Sequence, residues 1–396
     1  MGIVRLTPGA HPRLQAGHPW VFAGEIGQAE EGLQAGDVVR VEASNQRMIG
    51  LGFYNPHSQI RVRLLTHRAD VVIGPSFFRE RVQRAWERRQ QLLEDVRACR
   101  VVHGEADFLP GLVADKYNDL LVCQILSFGM HRYFGWIADA LEEMTGAVAI
   151  YLRSDVPVRR KEGLPVESGF YRGQAEVHQE IKEAGLLFEV DVASGQKTGF
   201  FFDQRDNRRA LHPIAGGARV LECFCNTAAF GVHAAAAGAQ EIWINDQSQE
   251  ALTLAKENAR RNGFAHLVHA LSGNAFDLLR QLESAGERFD LIILDPPAFA
   301  KGRKGVEGAL RGYKEINLRA MRLLKPGGYL ATSSCSQPVD WPAWNGMLGD
   351  AAADAHRLLQ VVYRGGQAAD HPILTAVPES AYLKFGIFRV WPVGAC

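Results

Sequence analysis

The chain has 396 residues, with 44 Lys and Arg balancing 44 Asp and Glu, and 47% of its residues are hydrophobic. That length suggests two to four domains, and the composition is ordinary for a soluble globular protein. A formal net charge of zero excludes a basic field over the whole molecule, so a polyanionic partner has to be held by a local patch.

No apolar stretch approaches the length of a membrane span, and the N-terminus lacks the apolar region of a signal peptide. Six cysteines (Cys99, Cys123, Cys223, Cys225, Cys335 and Cys396) are scattered without a CxxC pair, which argues against a zinc site or a disulfide framework. The expected setting is a reducing cytoplasm, with no membrane and no metal.

Residues 1–72 hold short β-type runs separated by glycines, such as Asp37-Val38-Val39-Arg40-Val41 and Ile60-Arg61-Val62-Arg63-Leu64-Leu65, and read as a small barrel or compact sheet. A long helix follows over 76–97, with Phe77, Phe78, Val82, Trp86, Leu92 and Leu93 on its apolar face. Its other faces carry Arg79, Arg81, Arg84, Arg88 and Arg89, which offer either a phosphate-holding surface or a merely solvated one. The stretch 73–185 reads as a middle α+β domain, with a second basic cluster of Arg153, Arg159, Arg160 and Lys161 expected on a loop.

Over 186–396 strands and helices alternate. Val220-Leu221 leads into an Ala-rich helix, Glu241-Ile242-Trp243-Ile244-Asn245 into a helix over 248–262, and Leu267-Val268-His269-Ala270 into a further one. This order implies an α/β fold with a parallel sheet covered on both faces. In such sheets the C-terminal ends of the strands line the ligand crevice. The loop Glu222-Cys223-Phe224-Cys225-Asn226-Thr227-Ala228-Ala229-Phe230-Gly231 would aim backbone amides and a helix N-terminus at a ligand, with Phe224, Asn226, Thr227 and Ala228 as candidate contacts. It is not GxGxxG, which counts against a dinucleotide. Asp246 suits a ribose diol and Asn274 an adenine edge. With Glu222, and with Asp295 beside Pro296, these strand-end groups fit S-adenosylmethionine better.

Two short motifs end neighbouring apolar runs. Asp295-Pro296-Pro297 follows Leu291-Ile292-Ile293-Leu294, and Ser334-Cys335-Ser336 follows the turn Lys325-Pro326-Gly327-Gly328 and Tyr329-Leu330-Ala331-Thr332. A carboxylate and a thiol at strand ends suggest covalent catalysis on a ring, with Asp295 and Cys335 as catalytic candidates.

The span 194–390 resembles the class I methyltransferase domain, a Rossmann-like fold, of bacterial 23S rRNA (cytosine-C5)-methyltransferases of the RlmI-like family. The matching segments are Gly195-Gln196-Lys197-Thr198-Gly199-Phe200, Asp203-Gln204-Arg205-Asp206-Asn207-Arg208, Asp295-Pro296-Pro297-Ala298-Phe299, Arg311-Gly312-Tyr313-Lys314-Glu315-Ile316-Asn317, Ser334-Cys335-Ser336, Asp370-His371-Pro372 and Tyr382-Leu383-Lys384. His18-Pro19-Trp20-Val21-Phe22 is similar to that family's N-terminal PUA domain, an RNA-binding barrel. The resemblance implies S-adenosylmethionine as cofactor, large-subunit rRNA as partner and Cys335 as nucleophile. It puts Lys197, Thr198, Asp203, Gln204 and Arg205 over the methionine end of the cofactor or the flipped base. A homodimer is left open.

A thiolate added to C6 of cytosine makes C5 enamine-like, and Asp295 suits the ring's amino group and N3. The thiol needs a nearby positive charge, for which Lys197 and Arg205 are the sources considered. One departure stands out: the family's first loop usually carries a second aromatic residue and a Gly-Gly, where this chain has Asn226 and Ala228-Ala229. Alanine disfavours φ > 0, so reduced cofactor affinity is expected. Two other readings remain open: an amino-group RNA methyltransferase using the Asp-Pro-Pro motif without the thiol, and a non-catalytic RNA-binding or ribosome-assembly factor.

Overall fold

The computed structural model describes residues 1–10, 12–195 and 198–394. They group into two compact units. One comprises Met1–Ile181, Val190–Phe202 and Ala369–Ser380, the other Lys182–Glu189, Asp203–Ala368 and Ala381–Cys396.

The first unit contains two sheets. One is six-stranded, with spatial order Trp20–Phe22, Ile60–Thr66, Met48–Tyr54, Val38–Glu42, Gly2–Leu6 and Ile26–Ala29. Alternate residues such as Val39 and Val41, or Val62 and Leu64, turn into a shared core with Val4, Leu6 and Val21, as the two-residue strand period requires. The other sheet is five-stranded, in the order Glu167–Arg172, Ala149–Ser154, Leu120–Ile125, Leu112–Tyr117 and Ala98–His103. The helices Pro75–Leu92 and Phe134–Thr145 pack with it. Phe53 of the first sheet enters that second core, and a Cβ on Gly129 would lie 2.1 Å from its ring, so only glycine permits this approach.

The helix expected over 76–97 runs over Pro75–Leu92, and its arginines are largely engaged. Arg79 pairs with Glu143 at 2.5 Å, Arg81 donates to the Phe108 carbonyl at 2.8 Å and to that of Leu65, and Arg84 and Arg88 stay exposed. Arg89 is buried, with bonds to both Asp107 oxygens at 2.6 and 2.7 Å and to the Arg100 and Asp370 carbonyls. The second basic cluster is also built inward. Val158–Lys161 is a short helix rather than a loop, and buried Arg159 donates to Ile125 O, Pro165 O and Glu167. In each cluster part of the charge is engaged inside the fold, through Arg81 and Arg89 in one and Arg153 and Arg159 in the other, while Arg84, Arg88, Arg160 and Lys161 remain exposed.

Removing one partner from a buried ion pair strands the other charge. Arg89→Ala is therefore expected to destabilise the first unit by about 3–5 kcal/mol, read from its urea midpoint. A loss below about 1 kcal/mol, the worth of an exposed pair, would show that Asp107 does not depend on the guanidinium.

The second unit is a seven-stranded sheet. Its elements are β1 (Arg219–Cys223), α1 (Ala229–Ala236), β2 (Glu241–Asp246), α2 (Gln249–Arg261), β3 (Val268–Ser272), α3 (Ala275–Ser284), β4 (Phe289–Leu294), α4 (Val306–Leu323), β5 (Leu324–Ser334), α5 (Trp341–Ala355), β6 (Arg357–Gly365) and β7 (Lys384–Pro392). The spatial order is β3-β2-β1-β4-β5-β7-β6. Strands β1 to β5 are parallel, and β7 inserts antiparallel between β5 and β6.

The sequence of β4 explains its central place, since every residue but Asp290 is buried, as a strand covered on both faces demands. Helix starts are fixed by side-chain caps: Ser248 accepts from Ala251 N–H, Asn274 from Phe276 N–H and Asp340 from Ala343 N–H. The Lys-Pro-Gly-Gly segment, expected as a turn before a strand, lies inside β5 as a bulge. Phe289 pairs with Leu324 and Leu291 with Tyr329, so the extra residues loop out of register, with Gly327 at φ +78°.

Candidate active site

The strand order reverses between β1 and β4, which opens a crevice at their C-terminal ends. Each strand delivers a polar group there. Glu222, near the end of β1, is buried and accepts the Gly231 N–H at 2.8 Å, tying the strand to α1. A Cβ on Gly231 would sit 2.7 Å from that carboxylate oxygen, so the contact requires glycine.

The loop between them holds three non-glycine residues in the left-handed region: Phe224 at φ +62°, Asn226 at +47° and Ala228 at +52°. Cys225 N–H donates to Asn245 O at 2.9 Å, Asn226 N–H to the Asp246 carboxylate at 3.0 Å, and Asn258 to the Thr227 carbonyl at 3.1 Å. The loop thus takes a glycine-type path without glycine. A left-handed alanine costs about 1–2 kcal/mol, against a smaller entropy penalty for glycine in the unfolded chain. Ala228→Gly should raise stability by up to about 1 kcal/mol, measured by thermal unfolding. An unchanged or lower midpoint would mean the loop bears no strain.

Asp246, at the end of β2, accepts one backbone N–H on each oxygen, from Asn226 and from Ser248, both at 3.0 Å. A carboxylate has about four acceptor sites, so two remain for a diol. Asn274 caps α3 through its Oδ1 and is exposed, leaving its amide N–H groups outward. Acceptor capacity on Asp246 and donor capacity on Asn274 thus stay open at the ends of β2 and β3.

Asp295, just past β4, accepts from Gln204 at 2.8 Å and from the Ser333 hydroxyl at 2.5 Å. Gln204 is buried and oriented by Asn207, whose amide donates to Gln204 Oε1 at 2.6 Å and thereby turns the Gln204 amide toward Asp295. Cys335, just past β5, is half-buried, and its thiol faces the Pro296 carbonyl at 3.7 Å. Ser336 locks this corner: its Oγ accepts from Ala300 N–H at 3.1 Å and lies 2.8 Å from the Tyr313 hydroxyl. Bonds between the two motif segments thus hold the residues around the thiol and the carboxylate together at the ends of β4 and β5.

Other expected groups fall differently. Lys197 lies outside the described residues. Thr198 is buried in the first unit and donates to Asp115, so there it clips the chain to the core. Asp203 accepts from the Tyr382 hydroxyl at 2.5 Å. Arg205, considered as a charge source for the thiol, lies 3.4 Å from Glu183. That carboxyl is buried, which raises its pKa, but Arg208, His233 and Arg205 outweigh burial and hold it well below the usual range.

Comparison with known proteins fits this geometry. Residues 4–67 match the PUA-like domain, and residues 112–389 match the S-adenosylmethionine-dependent methyltransferase domain. The chain belongs to the S-adenosylmethionine-dependent methyltransferase family. It is 43% identical over 394 residues to the Ribosomal RNA large subunit methyltransferase I of Shewanella denitrificans, covering 98% of this chain and 99% of that protein. Among solved structures, a protein from Streptococcus mutans described as a SAM-dependent methyltransferase superposes with a TM-score of 0.82 at 19% identity, over 98% of this chain and 100% of that one. A methyltransferase complexed with SAH gives 0.83 at 20% identity, with the same coverage.

The methyltransferase also contains functional candidates that sequence reading left without a role. Ser333 and Asn207 orient the Asp295 network, Tyr313 braces Ser336, and Lys384 lies under the Cys335 corner, donating to Ser336 O at 2.7 Å. The signal for Lys384 was present: a lysine opens the strand Lys384-Phe385-Gly386-Ile387-Phe388, and every one of these residues is buried.

Proposed function

We propose that this methyltransferase forms 5-methylcytosine in large-subunit rRNA, in the cytoplasm, through a thioether between Cys335 and C6 of the base. The observation that supports this reading is that the segments carrying Cys335 and Asp295 bond each other at adjacent strand ends, Ser333 to Asp295 and Cys335 to the Pro296 carbonyl. The full-length similarity to proteins named for large-subunit rRNA, and the PUA-like match over 4–67, support the substrate class. We assign residues 1–72 to RNA binding, 73–185 to a middle module and 186–396 to methyl transfer.

Bound S-adenosylmethionine supplies an electrophilic methyl group. For its adenosine end we assign Asp246, Asn274 and the loop residues Glu222, Phe224, Asn226, Thr227 and Ala228. Gln204, Lys197 and Pro296 are assigned toward the methionine end or the base. The Cys335 thiolate adds to C6, and the ring's electron pair moves toward N3 and the carbonyl oxygen. A protonated Asp295 carboxyl, oriented by Gln204 and Ser333, donates to N3 as that charge develops, while its other oxygen accepts from the amino group. C5 becomes enamine-like and takes the methyl as the methyl–sulfur bond breaks, the sulfur keeping that electron pair. Loss of the C5 proton to a base then returns the electron pair to C5=C6 and expels the thiolate. The target base must leave any stack, so single-stranded or unfolded rRNA is the substrate form.

The test is transfer of labelled methyl from S-adenosylmethionine to rRNA, followed by nucleoside analysis. Label in 5-methylcytosine supports the proposal. Label on an exocyclic nitrogen would replace it with amino-group chemistry, and RNA binding without any label would favour an assembly factor.

A further inference from the structure

Lys384 stands opposite Ser334 in the β5–β7 ladder, one residue before Cys335. It is 2% exposed. Its Nζ donates to the Ser336 carbonyl at 2.7 Å and to the Tyr382 carbonyl at 2.8 Å. The two acceptors straddle the corner, one directly after Cys335 and the other at the entry to β7. They leave the third ammonium N–H without a partner among the described residues. A buried ammonium held by two neutral carbonyls is costly unless an opposite charge faces it.

We infer that Lys384 is the positioning cation that holds Cys335 as a thiolate, an inference that rests on reading Cys335 as the nucleophile. When the thiol ionises, the S–H bond breaks, sulfur keeps the electron pair and the proton leaves to solvent. The fixed ammonium then offsets the new charge, as cations do beside reactive thiols. The geometry is rigid: Lys384 is locked by strand pairing, and Ser336 by Tyr313 and Ala300.

The coupling is mutual. Burial lowers the Lys384 pKa to about 8, and the neighbouring charges of Cys335 and Asp340 act to raise it. The other titratable groups around the corner are Asp295 past β4, Tyr313 on α4 and Tyr382 before β7. Burial pushes the Tyr313 phenol up, with the Cys335 charge adding to that, so it stays neutral and contributes a hydrogen bond rather than a charge.

The experiment is the pH profile of Cys335 alkylation by iodoacetamide in the full-length protein without RNA, followed by mass spectrometry of the Cys335 peptide. In the wild type the midpoint should lie below the ~8.5 of a free thiol. Lys384→Met should raise it by about one unit, slowing alkylation about tenfold at neutral pH, while Lys384→Arg should restore the low midpoint. A wild-type midpoint in natively folded Lys384→Met overturns the inference. If Lys384→Met does not fold, the arginine variant decides: a low midpoint upholds the inference, and a free-thiol midpoint in a native fold overturns it. Adduct formation with 5-fluorocytosine in RNA reports on the nucleophile separately. A low, lysine-dependent midpoint with no adduct would overturn the covalent reading and leave the Lys384–Cys335 pair standing.

Discussion

Cys335→Ala is expected to abolish methyl transfer, lowering kcat by about four orders of magnitude or more, as loss of a nucleophile does elsewhere. Without addition at C6 the cytosine ring stays aromatic, and no other group here replaces that step. On the proposed assignment the base contacts of Asp295 survive this substitution, so RNA affinity should change little. The decisive readout uses rRNA carrying 5-fluorocytosine. Addition and methylation proceed, but fluorine cannot leave as the C5 proton does, so the wild type accumulates a denaturation-resistant protein–RNA adduct. Cys335→Ala should form none. An adduct in the alanine variant, or methylation at the wild-type rate, would remove Cys335 from the chemistry.

The α/β alternation of the second unit was legible because its signals are local. Leu291-Ile292-Ile293-Leu294 has the continuous apolar character of a strand buried on both faces, and β4 is such a strand. Asp246, Asp295 and Cys335 could be assigned to one crevice because a parallel sheet sends all its strand ends the same way. The arginine clusters could not be read in this manner. Whether Arg89 or Arg159 faces solvent depends on Asp107 or Glu167 meeting it in space, a fact of tertiary pairing that periodicity does not carry. Lys384 escaped for a related reason. Its value lies in the antiparallel insertion of β7 beside β5, a non-local pairing that brings residue 384 to residue 334. The alanine loop was half legible. The backbone demand for φ > 0 was foreseen, and Ala228 meets it with its own backbone instead of passing it to a neighbour.

Glu222→Gln should change how stability depends on pH. The Glu222 carboxyl is 2% exposed, and burial pushes its pKa up to about 8; the charge of Asp295 adds to this and the Gly231 N–H opposes it. In the unfolded chain the same group titrates near ~4.3. The folded state therefore binds the extra proton throughout that window, and stability must fall as pH rises through it. The contribution is fully present below the unfolded value and is lost as pH passes the folded one. A shift of this size is worth on the order of a few kcal/mol. Glutamine keeps an oxygen for the Gly231 N–H and removes the ionisation. The variant should match the wild type at about pH 5 and exceed it increasingly toward about pH 8.5, with a flatter profile between. Denaturant unfolding at several pH values measures this. Parallel profiles for the two proteins would mean that Glu222 is ionised in the fold at neutral pH, with a compensating charge or solvent at the β1 end of the crevice. Divergent profiles would mean that Glu222 is a neutral neighbour of Asp295 there, held protonated by its burial.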